Sequence, residues 1–210
     1  MSATESADAV LAPLEGARPA RGPRKPALWR RAARVVERSL AGAGLLLLVY
    51  HGGFQVSEVI SGSMAPTLLG EGDQGQNDWI LSEQISTRFG PPPRFKLALF
   101  RNDDGVLIAK RVVGQAGERL RIQGGVLEVD GALRPLPDDV RGVRYTRAGV
   151  LRPRGDPEGS YEVPAGAVFV LGDDAKDSWD GRFFGGLTEE RVRGRVVAVV
   201  WPPARWRWLW

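Results

Sequence analysis

The sequence predicts a mainly β domain preceded by one apolar helix near the N-terminus. Beyond residue 57 the chain consists of short β-rich runs interrupted by glycine and proline, and none has the length or periodicity of a bundle helix. Ahead of these runs, residues 39–56 include no formally charged side chain. A chain of 210 residues can form one core of domain size with an anchor added.

The N-terminal arm, residues 1–38, carries the whole net charge of the protein. It holds eight Lys or Arg against four Asp or Glu, whereas residues 39–210 hold 21 of each sign. Residues 1–28 are rich in Ala, Pro, Arg and Gly without apolar periodicity, which predicts disorder. A positive charge confined to such an arm does not indicate a nucleic-acid partner.

The uncharged segment 39–56 is a candidate transmembrane anchor. As a helix its 18 residues would span about 27 Å, close to the thickness of a bilayer core. A buried helix of the domain and a cleavable signal peptide are the alternatives. Because a basic flank stays in the cytoplasm, the sequence predicts a single-pass protein of the cell membrane with residues 57–210 outside the cytoplasm.

The strands of the domain are predicted from short apolar runs. Residues 120–122 and 126–129 flank Gln123, Gly124 and Gly125, a pattern typical of a β-hairpin. Residues 131–160 are rich in Pro, Gly and Arg and are predicted to form an extended excursion. The other candidate strands are 79–81, 97–100, 106–109, 168–171 and 196–201.

The scarcity of cysteine and histidine limits the kinds of catalytic and metal sites that the chain can form. There is no cysteine, and His51 is the only histidine. A thiolate nucleophile is therefore excluded, and a zinc site or a Ser–His–Asp triad becomes improbable.

A candidate nucleophile lies just after the apolar segment. Ser61 and Ser63 flank Gly62, and a glycine there allows a tight path that presents a hydroxyl and an amide together. An ordinary Ser/Gly turn is the alternative.

A neutral lysine is the remaining conventional base for a serine. Lys110 has the best setting of the four lysines, because it closes the apolar run 106–109 and burial would lower its pKa. The alternative is a structural lysine at the end of a strand.

A third cluster, residues 172–182, is dense in carboxylates and turn formers. By itself it could be a structural acidic turn or a calcium loop, although it lacks the regular oxygen-ligand spacing of an EF-hand.

Together, the three clusters resemble the motif set of type I signal peptidases. Residues 61–68 resemble the nucleophile motif of that family, 110–114 its general-base motif and 172–182 its last motif, in the same order. The resemblance covers roughly residues 55–202. It implies a largely antiparallel β-sheet fold in two lobes and a Ser–Lys endopeptidase that removes signal peptides from exported preproteins, with no cofactor and no metal.

Residue by residue, the resemblance implies Ser63 as the nucleophile and Lys110 as the general base. The Ser61 hydroxyl and the Ser63 amide would stabilise the oxyanion. Three further residues would support the lysine, one by orienting its amine and two by pairing with each other: Ser178, Asp180 and Arg182.

The resemblance also implies how substrate binds. A preprotein would add a strand to the sheet, with small residues at the positions one and three before the cut. Membrane lipid and the export translocon are the other expected partners. The implied substrate pockets involve Val59, Met64, Leu68, Ile108 and Ala109.

Two alternatives to a general signal peptidase stay open on the sequence. One is a maturation peptidase with the same dyad and a restricted substrate, such as a pilin or a conjugation protein. The other is an inactive anchored module that binds extended peptides at a sheet edge.

The C-terminal residues 201–210 contain four tryptophans and two arginines. Such a segment is typical either of a contact with lipid headgroups or of a cap on the end of the β core.

Overall fold

The structure, a computed structural model, describes residues 27–70, 76–138, 140, 143, 145 and 159–209. Helix α1 spans Ala27–Gly53, and the short helix α2 spans Gly181–Phe184. The strands in chain order are β1 Phe54–Glu58, β2 Trp79–Glu83, β3 Leu97–Arg101, β4 Leu107–Gly114, β5 Arg119–Gln123, β6 Val126–Val129, β7 Ala132–Arg134, β8 Tyr161–Glu162, β9 Ala167–Leu171, β10 Leu187–Thr188, β11 Val192–Trp201 and β12 Arg207–Trp208.

Helix α1 both begins and ends earlier than the predicted segment 39–56. Residues 27–38, predicted as part of a disordered arm, are helical, because Ala, Leu, Arg and Glu between them favour a helix. The helix ends at a pair of glycines, and β1 occupies the last part of the predicted segment. The predicted disorder of residues 1–26 lies outside the described residues. In the described part of the chain, no helix combines the length and hydropathy that a membrane span requires.

The chain divides into two units after Gly44. The described part of the first unit is α1 from Ala27 to Gly44. The second unit contains the end of α1 and all of the strands. This boundary differs from the predicted domain start at residue 57, because the last turns of α1 belong to the unit that contains the sheets.

The main sheet has the strand order β1-β2-β11-β3-β4-β9-β10, and β12 pairs with β11. All its described pairs are antiparallel. The mainly antiparallel β fold is therefore confirmed, and each candidate strand from the sequence corresponds to an observed one.

A second sheet has the order β7-β6-β5-β8 and is also antiparallel. The predicted hairpin is its centre, where Gly124 and Gly125 have φ angles of 60° and 85° and close a two-residue turn. The predicted excursion 131–160 lies only partly within the described residues. There, β7 extends this sheet, and Val140, Val143 and Tyr145 are buried in the adjoining core.

Strand β4 positions the predicted base within the main sheet. It pairs with β3 over residues 107–111 and with β9 over residues 111–114. Lys110 therefore lies inside a strand, whereas the sequence placed it at a strand end. In the described part of the chain, residues 107–110 have no ladder partner on the side opposite β3, so this edge is open next to Lys110.

Candidate active site

Ser63 lies on a tight turn between two strands. After β1, the chain forms a 3₁₀ turn at Gly62–Met64, preceded by Ser61 in an extended conformation. Ser63 is buried, whereas Ser61 is exposed. Their Oγ atoms are 3.3 Å apart, so the two hydroxyls lie within hydrogen-bond distance of each other.

Lys110 extends from the centre of β4 to the hydroxyl of Ser63. Its side chain is only 2% exposed. Nζ lies 2.6 Å from Ser63 Oγ and 3.0 Å from Ser178 Oγ. These serines are 47 and 68 residues away in sequence, so the fold assembles the contact from three separate segments.

The pKa of Lys110 is lowered to about 8. Burial is the largest cause, because it disfavours the charged ammonium. The negative charge of Asp180 raises the pKa, the positive charge of Arg182 lowers it, and Asp173 raises it further. The neutral amine, which can act as a base, is therefore far more populated near neutral pH than in an exposed lysine.

Ser178 contacts the Lys110 amine directly, and Asp180 binds Ser178. Ser178 Oγ donates to Asp180 Oδ2 at 2.7 Å while it contacts Lys110 Nζ. Asp180 is fully buried and caps α2, and its two oxygens accept from Arg182 Nε at 2.8 Å and Nη2 at 2.9 Å. A chain of hydrogen bonds thus runs from the arginine to the lysine amine.

Gly172 permits this arrangement to close. Its backbone N–H donates to Asp180 Oδ2 at 2.8 Å. A Cβ at this position would lie 2.1 Å from Ser178 Oγ and 2.6 Å from the Ser63 carbonyl. No larger residue fits between the two serines without displacing them.

Arg111 and Asp173 form a second buried ion pair beside the lysine. Arg111 Nε and Nη2 donate to the Asp173 carboxylate at 2.8 Å and 2.5 Å. Arg111 also donates to the Phe95 carbonyl and to Thr67 Oγ1, the latter at 3.1 Å. Sequence reasoning did not single out this pair, although both residues lie in the motif segments 110–114 and 172–182.

Two arginines form ion pairs with the buried carboxylates of the acidic cluster 172–182. Asp173 pairs with Arg111 and Asp180 with Arg182, so the two most buried carboxylates of the cluster have cationic partners. In the described residues, no group of three or more His, Cys, Asp or Glu side chains is placed to bind a metal.

A cleft of about 390 Å³ opens at the two hydroxyls and Lys110. Four of the five predicted pocket residues line it: Val59, Met64, Ile108 and Ala109. Leu68 differs from the prediction, because it is fully buried in the core cluster that also contains Met64 and is absent from the residues that line the cleft. Trp179 and Asp177 line another part of the cleft, and sequence reasoning did not propose them.

Comparison with known proteins gives consistent matches. The family model described as "Signal peptidase, peptidase S26" matches residues 32–201. Signal peptidase I from Bacillus caldolyticus is 31% identical over 146 residues, which cover 67% of this chain and 75% of the relative. Signal peptidase I from Leptolyngbya laminosa is 30% identical over 154 residues, covering 69% and 68%. A solved signal peptidase I from Enterococcus faecalis V583 is 29% identical, with a TM-score of 0.41, and the match covers 50% of this chain and 95% of that one.

Proposed function

Because the chain belongs to the signal peptidase family, peptidase S26, it is a serine endopeptidase that removes signal peptides, and we propose that Ser63 and Lys110 form its catalytic dyad. The observation that carries this proposal is the 2.6 Å approach of Nζ to Oγ in a buried setting. The only histidine, His51, belongs to α1 and does not take part in this contact.

The reaction begins when neutral Lys110 accepts the proton of the Ser63 hydroxyl. Oγ then attacks the scissile carbonyl carbon, and the carbonyl oxygen becomes an oxyanion. The Ser61 hydroxyl and the Ser63 amide donate hydrogen bonds to it. As the intermediate collapses, the lysine gives its proton to the leaving amine. Neutral Lys110 then takes a proton from a water molecule that attacks the acyl carbon, and it returns this proton to Ser63 Oγ as the bond between Oγ and the acyl group breaks.

The supporting residues act on the lysine. The hydroxyl of Ser178 fixes the direction of Nζ, and Asp180 fixes Ser178. Arg182 balances the charge of Asp180, which would otherwise hold the lysine in its protonated form. A base with a pKa of about 8 suits proton transfer near neutral pH.

The substrate binds as an added strand in the cleft. The open edge at residues 107–110 offers backbone groups, and residues 57–61 line the facing wall. Val59, Met64, Ile108 and Ala109 line the apolar part of the cleft that contains Ser63. This part is proposed to accept the small side chains expected one and three positions before the cut.

The apolar segment of α1 is proposed as the membrane anchor. Leu45, Leu46, Leu47 and Leu48 have exposed fractions of 58–73%, an arrangement that is costly in water and favourable in lipid. Because basic flanks tend to stay in the cytoplasm, the proposed orientation in the cell membrane has the N-terminus inside and the peptidase domain outside. The export translocon is a proposed partner.

The exposed tryptophans of the C-terminal segment are proposed to contact lipid headgroups. Trp201, Trp206 and Trp208 have exposed fractions of 49%, 64% and 51%. Indole rings favour the membrane interface, so these side chains would hold the cleft near the emerging substrate.

The dyad is tested by replacing each member alone. Ser63→Ala and Lys110→Arg are both expected to abolish cleavage of a preprotein in detergent, because an arginine keeps its proton. Unchanged circular dichroism of the purified variants would show that they fold. Cleavage by Lys110→Arg at the wild-type rate would contradict the proposed base.

The topology is tested separately in spheroplasts. Added protease is expected to digest the domain and to spare a tag at the N-terminus, as the basic arm predicts. The reverse digestion pattern would contradict the proposed orientation while leaving the dyad untouched.

A further inference from the structure

We propose that Asp78 and Arg205 are positioning residues that hold the segment carrying Ser63 within reach of Lys110. The segment, Val59 to Leu69, is called the nucleophile loop below. Neither residue lines the cleft, and neither was singled out by the sequence. The inference rests on the proposed role of Ser63 as the nucleophile.

Asp78 closes the base of the nucleophile loop. Its backbone carbonyl accepts from Val59 N at 2.8 Å, and its backbone N–H donates to the Leu69 carbonyl at 2.8 Å. Its side-chain Oδ2 accepts from Leu69 N at 2.9 Å. One residue therefore binds both ends of the loop.

The two ends of the loop are also in close contact with each other. A Cβ on Gly70 would lie 2.5 Å from the backbone nitrogen of Ser61 and 2.6 Å from the Val59 carbonyl. The backbone that follows the loop thus presses against the backbone that enters it. A displacement at this base would move Ser61 and Ser63 together.

Arg205 supplies the charge partner that Asp78 requires. The Asp78 carboxylate is fully buried, so its charge has no access to water. Arg205 donates from Nε to Oδ1 at 2.7 Å and from Nη2 to Oδ2 at 2.9 Å. This two-bond geometry fixes the direction of the carboxylate, and therefore of its bond to Leu69.

The C-terminal segment that carries Arg205 is itself tied to the main sheet. Strand β12 pairs with β11, and Leu209 N donates to the Val197 carbonyl at 2.8 Å. Arg207 adds a second contact with the nucleophile loop, because its Nη2 donates to the Thr67 carbonyl. Leu209 packs against the core cluster that includes Met64 and Leu68. The loop is thus braced by a segment anchored on β11.

The consequence for catalysis follows from the short Nζ to Oγ distance. Proton transfer needs this distance to be kept, and a misplacement of about 1 Å can lower the rate by about 100-fold. The clamp formed by Asp78 and Arg205 does not touch substrate, so its loss should lower kcat more than it raises KM.

The test is Arg205→Ala, measured with a fluorogenic peptide that spans a signal-peptide cleavage site. We expect kcat to fall by about 10- to 100-fold and KM to change by less than about twofold. The acid limb of the pH profile should stay at its wild-type position, since Asp78 and Arg205 are absent from the groups that shift the pKa of Lys110.

Arg195→Ala is the matched control. Arg195 pairs with Glu83 at the end of β2, and the two side chains are 27% and 9% exposed against 26% and 0% for Arg205 and Asp78. This variant also leaves a buried carboxylate without its partner, away from the nucleophile loop. It should lose thermal stability and keep kcat within about twofold of wild type. Equal kcat losses in the two variants would overturn the proposal.

If Arg205→Ala does not fold, Arg205→Lys tests the positioning role of Arg205 instead. A lysine keeps the charge but loses the two-bond geometry, so kcat should recover only in part. Wild-type kcat in Arg205→Lys would overturn the positioning role. Failure of the dyad itself is a different result, because Ser63→Ala would then cleave the peptide whatever happens at Arg205.

Discussion

Two buried ion pairs flank Lys110, and they differ in what they connect. Asp180 and Arg182 are two residues apart in one turn, and Asp180 reaches Lys110 through Ser178. Arg111 and Asp173 are 62 residues apart and join β4 to the turn that follows β9. Their side chains are almost equally buried, with exposed fractions of 5% and 0% for Arg182 and Asp180 and of 4% and 0% for Arg111 and Asp173.

Equal burial does not give the two pairs equal roles. Both members of the local pair shift the pKa of Lys110. In the long-range pair, Asp173 raises the pKa of Lys110, but it acts more weakly than Asp180 and Arg182 do. Arg111 instead bonds to the Phe95 carbonyl and the Thr67 hydroxyl. The local pair therefore acts mainly on the charge of the base, and the long-range pair mainly on the framework around it.

Of the substitutions in the two buried pairs, Arg182→Ala is expected to have the largest effect on the pH dependence of cleavage. Asp180 would then act unopposed on the ammonium and raise the pKa of Lys110 above about 8. Since the neutral amine is the base, the rising limb of kcat/KM should move to higher pH. If the limb moves by about one pH unit, the rate at pH 7 falls by about tenfold.

The same substitution should also lower stability. Removing one partner of a buried pair costs about 3–5 kcal/mol, which urea denaturation can measure. A rising limb that stays at its wild-type pH in the folded variant would contradict the proposed action of this pair on the base.

Arg111→Ala is expected to cost a similar free energy of unfolding, about 3–5 kcal/mol, because Asp173 would be left buried without its partner. The rising limb of kcat/KM should move less along the pH axis than in Arg182→Ala, since Asp173 acts more weakly on the pKa of Lys110 than Asp180 does. The loss should appear in kcat, through the bond to Thr67 on the nucleophile loop. A displacement of the pH limb as large as that of Arg182→Ala would remove the distinction between the two pairs.

The exposed pair of Arg191 and Asp103 provides the control and the smallest expected effect. Its side chains are 41% and 94% exposed, so water already solvates both charges. Arg191→Ala should change the free energy of unfolding by less than about 1 kcal/mol. The rising limb of kcat/KM should stay at its wild-type pH in this variant.

The two pairs also differ in how far the sequence predicted them. Asp180 and Arg182 lie in one motif, so the resemblance alone implied their contact. Arg111 stood next to Lys110 and Asp173 lay within the motif segment 172–182, yet nothing in either segment indicated that they meet. The Asp78–Arg205 pair was equally hidden, because its members are 127 residues apart.

Like the contact between Asp180 and Arg182, the strands of the main fold could be predicted because they depend on residues that are close in sequence. Short apolar runs and turn residues predicted the strands and the β5–β6 hairpin, since these depend on neighbouring residues. The start of α1 was misplaced, because charge was used to delimit the apolar segment while arginines are good helix formers. Leu68 was assigned to a pocket, although its apolar side chain equally suits the core.

The sequence by itself determined which chemistry is possible: no cysteine, one histidine, and serines and a lysine in an order that resembles signal peptidases. Only the tertiary structure decided that Ser63, Lys110 and Ser178 meet within 2.6–3.0 Å, and which arginine neutralises which buried carboxylate. Sequence patterns report the preferences of neighbouring residues and the chemistry of each side chain. A contact between distant segments depends instead on strand order and register, which the packing of the whole domain sets.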